Sequence, residues 1–244
     1  MTTDYEGLAA RYDEDRAKFS VERDDVIDEF AGARRARVVD LGCGTGRWLA
    51  AQHEYFAYGA FSSVGIDPSP GMLAQARPKA NLVLVCAAAE DLPLRDASVD
   101  YVACSYVFHH LDKARALDEV TRVLAPGGVF RITNIEPTES DGGWVYEFFP
   151  ETRAIDAARF WRPGRIAEAL EARGFAVGLV VDSEQHALPA ADVLVDAERR
   201  VISQLAVLDD DAYARGLARL REVALVPGAT VSTTDSRLRL TGRR

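Results

Sequence analysis

Cysteine and histidine are scarce in this 244-residue chain, and it has no long apolar run. The three cysteines, Cys43, Cys86 and Cys104, are odd in number and far apart. That spacing makes neither a C-x-x-C zinc pattern nor a disulfide framework, so no metal site is expected and small buried thiols fit all three. The longest apolar runs are strand-sized, so no segment is expected to span a bilayer. The opening residues, Met1-Thr2-Thr3-Asp4-Tyr5-Glu6, lack the basic and then apolar regions of a secretory signal, and a cytoplasmic protein is expected. Basic residues are in deficit, 29 against 38 acidic, for a net charge of -9. This balance disfavours capture of nucleic acid or anionic membrane as the main activity. Lysine is rare while arginine and alanine are common, a composition bias without a chemical reading. What remains is ample: 48% hydrophobic and 27% charged residues supply a sizeable core.

Hydrophobic spacing places the elements. Tyr5, Leu8, Ala9 and Tyr12 recur at i, i+3, i+4 and i+7, a one-sided helix, and Val21 to Phe30 reads as a second. From Arg37 the pattern alternates. Strands are expected at Arg37–Leu41, Ser63–Asp67, Asn81–Cys86, Val99–Cys104 and Val129–Ile135. Helices between them are expected near Arg47–Phe56, Pro70–Arg77 and after Asp112, the last carrying Leu117, Val120 and Leu124 inward and stopped by Ala125-Pro126-Gly127-Gly128. Apolar strands alternating with helices imply a parallel sheet covered on both faces. The rhythm breaks at 136–162, where Trp144, Tyr146, Phe148, Phe149, Phe160 and Trp161 put six aromatics in eighteen residues. A helix over Pro163–Arg173, a stop at Gly174 and a strand over Phe175–Val181 follow. Two late helices carry Val193, Leu194, Ala197, Val201 and Leu205, then Tyr213, Leu217, Leu220 and Ala224, before a strand at Ala229–Leu240.

The sharpest feature is Val38-Val39-Asp40-Leu41-Gly42-Cys43-Gly44-Thr45-Gly46. Glycines after a first strand let a ligand approach the main chain, and the amides there can bind an anion such as a carboxylate. The spacing is G-x-G-x-G, with Arg47 where a nicotinamide fingerprint would place its third glycine, and no Walker lysine follows. The second strand ends in Asp67, twenty-one residues beyond Gly46, where a carboxylate can accept both ribose hydroxyls of an adenosine. Pro68 then sets a turn, and Met72 is placed to cover an adenine face.

With these residues the sequence resembles the class I S-adenosylmethionine-dependent methyltransferases of the small-molecule type. The resemblance covers residues 36–135. Val38 to Gly46 is similar to the family's first motif, and Val64-Gly65-Ile66-Asp67-Pro68-Ser69 to the second. Ala89-Glu90-Asp91-Leu92-Pro93-Leu94 resembles the adenine-side motif. Val99-Asp100-Tyr101-Val102 with His109-His110-Leu111 resembles the fourth-strand region, and Leu124-Ala125-Pro126-Gly127-Gly128 the turn before the fifth strand. The resemblance implies a Rossmann-like, doubly wound, mostly parallel seven-stranded sheet with helices on both faces and a helical, aromatic cap. It implies one domain over 1–244, with N-terminal helices in 1–32 over the cofactor and cap insertions at 136–162 and 187–226.

It also implies S-adenosylmethionine as cofactor. Asp40, Gly42, Cys43, Gly44 and Gly46 would shape the methionine pocket, and Asp67 would bind the ribose. Pro68 and Met72 would flank adenine, with Ala89 and Glu90 near its edge. Cys104 and Ser105 would lie under the sulfonium, and Tyr5, Arg11 and Tyr12 resemble a segment that folds over the cofactor. Relatives often carry an acid where this chain has Ala88, so Glu90, Asp91 or backbone alone would meet the exocyclic amine.

Methyl transfer needs orientation and water exclusion, and a base only for a protonated nucleophile. His109 and His110 follow the fourth strand, where the sheet opens its crevice, and either is a candidate base; packing is the competing reading. His53 and His186 are expected on the surface, the latter in a loop. The aromatic segment is expected to serve both as cap core and as acceptor lining; Arg153, Arg159 and Arg162 could hold an acidic acceptor, but solvated cap charges are the preferred reading. The function expected is methylation of a small-molecule acceptor. The alternatives are an RNA or protein methyltransferase, opposed by the acidic balance and by Cys104-Ser105-Tyr106-Val107 in place of a Pro-Pro run, and a non-catalytic S-adenosylmethionine-binding protein. A nicotinamide dehydrogenase is opposed by the glycine spacing.

Overall fold

The computed structural model describes residues 5–17, 19–30, 35–56, 60–79, 82–138 and 142–244. The chain forms two compact units. One is drawn from Asp4–Asn134, Gly164–Val180 and Arg239–Arg244, the other from Ile135–Pro163 and Val181–Leu238. The expected cap segments 136–162 and 187–226 fall in the second.

Of the two N-terminal helices that the spacing predicts, the first is broken into short pieces and the second is shorter than the Val21–Phe30 stretch read for it. Helices α1 (Tyr5–Leu8) and α2 (Tyr12–Arg16) are joined by a 3-10 turn over Ala9–Arg11, and α3 (Asp25–Phe30) follows. Only Ala9, Val26 and Ile27 of these elements are buried. Strand β1 (Ala36–Leu41) is buried almost throughout, and α4 (Arg47–Tyr55) follows the glycine loop. Strand β2 (Phe61–Asp67) leads to α5 (Pro70–Ala76), which has Pro70 in its first turn and a Ser69 side chain accepting from the Met72 amide. Strand β3 is only Leu84–Cys86; Asn81 of the expected strand lies outside the described residues. Strand β4 (Val99–Ser105) and helix α6 (Lys113–Val123), capped by Asp112, match expectation.

Strand β5 starts earlier than read, at Leu124, and ends at Ile135. Leu124 already pairs with Val99, and pairing resumes at Tyr101 with Val129. The Ala125–Gly128 stretch is therefore a bulge inside the strand. Gly127 stands at φ 77°, and its N–H donates to the Arg244 carbonyl at 2.9 Å. Helices α7 (Gly143–Phe148), α8 (Thr152–Arg159) and α9 (Pro163–Glu171) precede β6 (Ala176–Pro189). The long apolar period over Val193–Leu205 is two helices, α10 (Ala190–Glu198) and α11 (Ser203–Ala206). Arg200, at φ 50°, breaks it. Helix α12 (Asp210–Ala224) and strand β7 (Thr230–Arg243) complete the chain. His186 lies inside β6, 3.5 Å from Asp235, and not in a loop.

The seven strands run β3-β2-β1-β4-β5-β7-β6, and the pairings from β3 to β5 are parallel. The order reverses between β1 and β4, so the crevice opens at their carboxyl ends. Within the first unit, the Tyr101 hydroxyl donates to Asp24 Oδ2 at 2.6 Å, and the Asp24 amide donates to Gln52 Oε1 at 2.8 Å. Arg131 reaches Asp25 as well. These buried polar links hold α3 against the sheet. In the second unit, Trp144, Phe148 and Phe149 form a core with Ala190, Val193, Leu205, Leu217 and Leu220. Among the described residues no helix is long and apolar enough to cross a membrane.

Candidate functional site

The glycine loop is tied back to the second strand. The amides of Gly42 and Cys43 both donate to the Ile66 carbonyl, at 2.7 and 3.0 Å. Gly42, Gly44 and Gly46 all have left-handed backbone, at φ 71°, 53° and 74°. Their surroundings differ. A Cβ at Gly42 would lie 2.5 Å from a Val107 methyl, and one at Gly46 would lie 2.8 Å from Leu82. One at Gly44 would meet nothing within 4 Å. The outer two glycines are thus needed for packing, and the middle one leaves main chain facing an open cradle.

Two carboxylates flank that cradle. Asp40 is 2% exposed, and its Oδ2 has no hydrogen-bond partner among the described residues. Burial, then the negative charge of Asp67 and Asp24, pushes its carboxyl up to about 8. A buried carboxyl oxygen without a donor is costly, and a ligand ammonium would satisfy it. Asp67 is held by the main chain: Oδ2 accepts from the Gly44 amide and Oδ1 from the Ser69 amide, each at 2.9 Å. Burial raises its pKa against those two amides, and Glu6 adds to the rise. Each Asp67 oxygen keeps a further lone pair for a hydroxyl. An orphaned acid, an open glycine cradle and an oriented second acid fit an amino-acid–nucleoside ligand carrying positive charge.

The other expected cofactor residues spread more widely. Pro68 is exposed and offers surface, whereas Met72 is packed at 2% exposure. Ala89 is buried. Glu90 accepts from the Asp112 amide at 2.7 Å, so it braces the turn into α6. Cys43 and Cys104 are buried, and burial with the nearby Asp40 raises both thiols far above their ordinary range, so they stay protonated. Cys86 is exposed, contrary to the reading of three buried thiols, because its strand is short and sits at the edge of the sheet.

The N-terminal pieces meet the same strand ends. The Tyr5 hydroxyl lies 2.7 Å from His110 Nε2, with the rings edge-on at 5.2 Å. Tyr12 packs on Tyr5 at 6.3 Å, and His109 on His110 at 3.9 Å. Glu6 Oε2 accepts from Ser69 Oγ at 2.6 Å and from the Gly71 amide at 3.0 Å. Asp13 bonds to the Thr45 hydroxyl and to Lys79, whose ammonium also donates to the Thr45 carbonyl at 2.6 Å. Arg11 pairs along the helix with Asp15 at 3.5 Å. Glu6, Asp13 and Lys79 were not legible as site residues, since each looks like an ordinary surface charge until the fold brings it to the loop.

Elsewhere, His53 is half-buried: it stacks on Phe61 at 4.5 Å and bonds Ser63 at 2.9 Å, which places it in local packing and not on the open surface. In the second unit Trp144, Phe148 and Phe149 belong to the apolar core, while Tyr146 donates to the buried Asp156 at 2.9 Å. Of the arginines read as solvated, Arg153 lies over the Tyr146 ring at 4.3 Å and Arg159 donates to Ser203 at 3.4 Å; Arg162 is exposed.

Residues 39–132 match the family model described as a methyltransferase domain. An uncharacterized methyltransferase of Mycobacterium tuberculosis is 35% identical over 149 residues, 60% of this chain and 58% of that protein. A ubiquinone/menaquinone biosynthesis C-methyltransferase of Campylobacter jejuni is 32% identical over 111 residues, 43% of this chain and 47% of that one. The matches thus span only about half the length of these relatives. Among solved structures, a methyltransferase assigned to an antibiotic biosynthesis pathway of Anabaena variabilis superposes with a TM-score of 0.70 at 21% identity, covering 89% of this chain and 94% of that one. That likeness concerns the fold.

Proposed function

We propose, with membership of the class I S-adenosylmethionine-dependent methyltransferase family as the premise, that this chain transfers a methyl group from S-adenosylmethionine to a small-molecule acceptor. The observation that carries the reading is the orphaned Asp40 Oδ2 beside the open Gly44 main chain. Asp40 would bind the ammonium of the methionine part, and the amides around Gly44 its carboxylate. Asp67 would bind the ribose hydroxyls with the lone pairs left by Gly44 and Ser69. Pro68 and the Ala89 main chain would border the adenine. When bound, the cofactor supplies an electrophilic methyl whose bond to the sulfonium sulfur breaks, with the electron pair, as the acceptor's nucleophilic atom bonds to it.

The chain's own residues then hold the acceptor in line and manage its proton. Tyr5 and His110 form the candidate relay. An acceptor hydroxyl gives its proton to Tyr5 Oη as the Tyr5 proton passes to His110 Nε2, 2.7 Å away. His109, tilted against His110 with ring centroids 3.9 Å apart, keeps the ring oriented. The ties of Glu6 to Ser69 and of Asp13 to Thr45 hold the N-terminal pieces at the strand ends, where they exclude water. The acidic cradle and the net charge of -9 favour a small acceptor over RNA.

Thermal unfolding with added ligands tests the reading. S-adenosylhomocysteine at a hundredfold excess over its dissociation constant stabilises the native state by about 2.7 kcal/mol, and NAD leaves the midpoint unchanged. No shift with S-adenosylhomocysteine, or an equal shift with NAD, would sink it.

A further inference from the structure

Helix α4 lines a cavity of its own. Arg47, Ala50, Ala51, Glu54 and Tyr55 recur at i, i+3, i+4, i+7 and i+8, one face of the helix. With Val21 and Lys79 they enclose about 510 Å³, the size of a small-molecule site. Arg47, Glu54 and Tyr55 have no part in the proposed cofactor site. Three of the lining side chains are anchored on main-chain carbonyls. Arg47 donates to Phe19 at 2.8 Å, Tyr55 to Val21 at 2.8 Å and Lys79 to Thr45 at 2.6 Å. Anchoring of this kind reduces the entropy lost when a ligand binds. It also leaves binding capacity over: Arg47 keeps further N–H donors, and Tyr55 remains 46% exposed. Lys79 pairs with Asp13, whereas neither Arg47 nor Glu54 has a partner of opposite charge among the described residues.

These groups narrow the ligand. Two cations on one cavity suit a dianionic phosphate better than a single carboxylate. A fixed, half-exposed tyrosine ring beside the methyl groups of Ala50 and Ala51 suits a flat, conjugated body. Glu54 stands two turns from Arg47, about 10 Å along the helix, where it accepts from N–H groups at the far end of such a body. We propose that this cavity binds a small nucleotide, with its phosphate on Arg47 and Lys79, its base on Tyr55, and Glu54 accepting from the base edge. The site is separate from that of the methyl donor, and the inference does not depend on the methyltransferase reading.

Saturation-transfer NMR with GMP as the probe tests it, on the full chain with S-adenosylhomocysteine in excess. Guanine presents two neighbouring N–H donors to a carboxylate, which suits Glu54. GMP should bind wild type at least about tenfold more tightly than guanosine or inorganic phosphate, since each of those engages one end of the cavity. Arg47→Gln should weaken GMP about tenfold. Ala51→Glu leaves every anchored group in place and sets a carboxylate in the floor, so it should weaken GMP as much, and it decides the matter if R47Q folds poorly. No binding of GMP to wild type, or equal binding to wild type and A51E, overturns the proposal. Phosphate alone binding as tightly as GMP would leave an anion site without a base and overturn the nucleotide assignment. A short single-stranded RNA binding more tightly than GMP would make this a strand-binding surface and overturn it as well.

Discussion

Asp40 offers the most quantitative test of the proposed cofactor site. Its carboxyl is pushed up to about 8 by burial and by the charges of Asp67 and Asp24. With that value, about 0.9 of the molecules carry a proton on Asp40 at pH 7, and about 0.1 at pH 9. A bound ammonium pairs only with the ionised form. Binding at pH 7 must therefore expel about 0.9 proton from Asp40, and binding at pH 9 about 0.1. The same linkage gives about a tenfold gain in affinity from this residue between pH 7 and pH 9. Calorimetric titration with S-adenosylhomocysteine, in buffers of different ionisation enthalpy, reads the proton count directly. Other groups exchange protons on binding as well, so the quantity sought is the difference between wild type and Asp40→Asn. Wild type should release close to one proton more than D40N at pH 7, with the difference vanishing by pH 9. Equal release from the two proteins at pH 7 would refute the pairing of Asp40 with the ligand's ammonium.

The same group makes the ligand-free chain pH-sensitive. Its folded pKa lies above the ordinary carboxylate value, so the native state holds more protons than the unfolded state between those two values. Stability then falls as pH rises from about 4 toward 8, and D40N should flatten that slope in melting curves taken without ligand. Asp67→Ala removes the carboxylate proposed for the ribose; a charged hydrogen bond is worth about 1.5–3 kcal/mol, so affinity for S-adenosylhomocysteine should fall at least about tenfold. An unchanged dissociation constant would end the ribose assignment. Tyr101→Phe leaves the buried Asp24 Oδ2 without the hydroxyl at 2.6 Å, and should cost about 1–3 kcal/mol of stability in chemical denaturation, with cofactor affinity preserved.

Legibility followed the range over which each signal acts. The β1–loop–α4 unit could be read because its determinants are local: a buried strand, glycines at fixed spacing, and an acid at the end of the next strand. The helix over Lys113–Val123 was readable for the same reason, since Asp112 and the apolar stripe lie within a few residues. Errors arose where a distant partner decides the outcome. The β5 bulge exists because Gly127 and Gly128 bond Arg244, more than a hundred residues away. The period over Val193–Leu205 is continuous in sequence, yet Arg200 in the left-handed region divides it into two helices around one core. Strand β6 runs to Pro189 through Asp182, Ser183, Glu184 and Gln185, residues with no apolar alternation to announce a strand. The ties from Glu6 and Asp13 left no trace in the sequence, because carboxylates on short helices look the same whether they face water or a glycine loop.

The electrostatics of the cradle bear on turnover as well as binding. Asp40, Asp67 and Glu6 act on one another as like charges: Asp67 raises the pKa of Asp40, and Glu6 raises that of Asp67. Cys43 and Cys104, both close enough to feel Asp40, remain neutral and add no charge of their own. A cavity of this kind attracts positive charge and strengthens the attraction by excluding water. On the proposed reading, the cofactor enters with an ammonium and a sulfonium, and leaves as a thioether with the ammonium alone. On that reading the site loses one attractive interaction at each turnover. Retention of the ammonium by Asp40 then sets how much product affinity remains. D40N removes the ammonium pairing from both ligands and Asp40's attraction for the sulfonium from one, so it should weaken S-adenosylmethionine at least as much as S-adenosylhomocysteine. Parallel titrations of the two ligands against wild type and D40N decide the point, and a larger loss for S-adenosylhomocysteine would show that Asp40 does not attract the sulfonium.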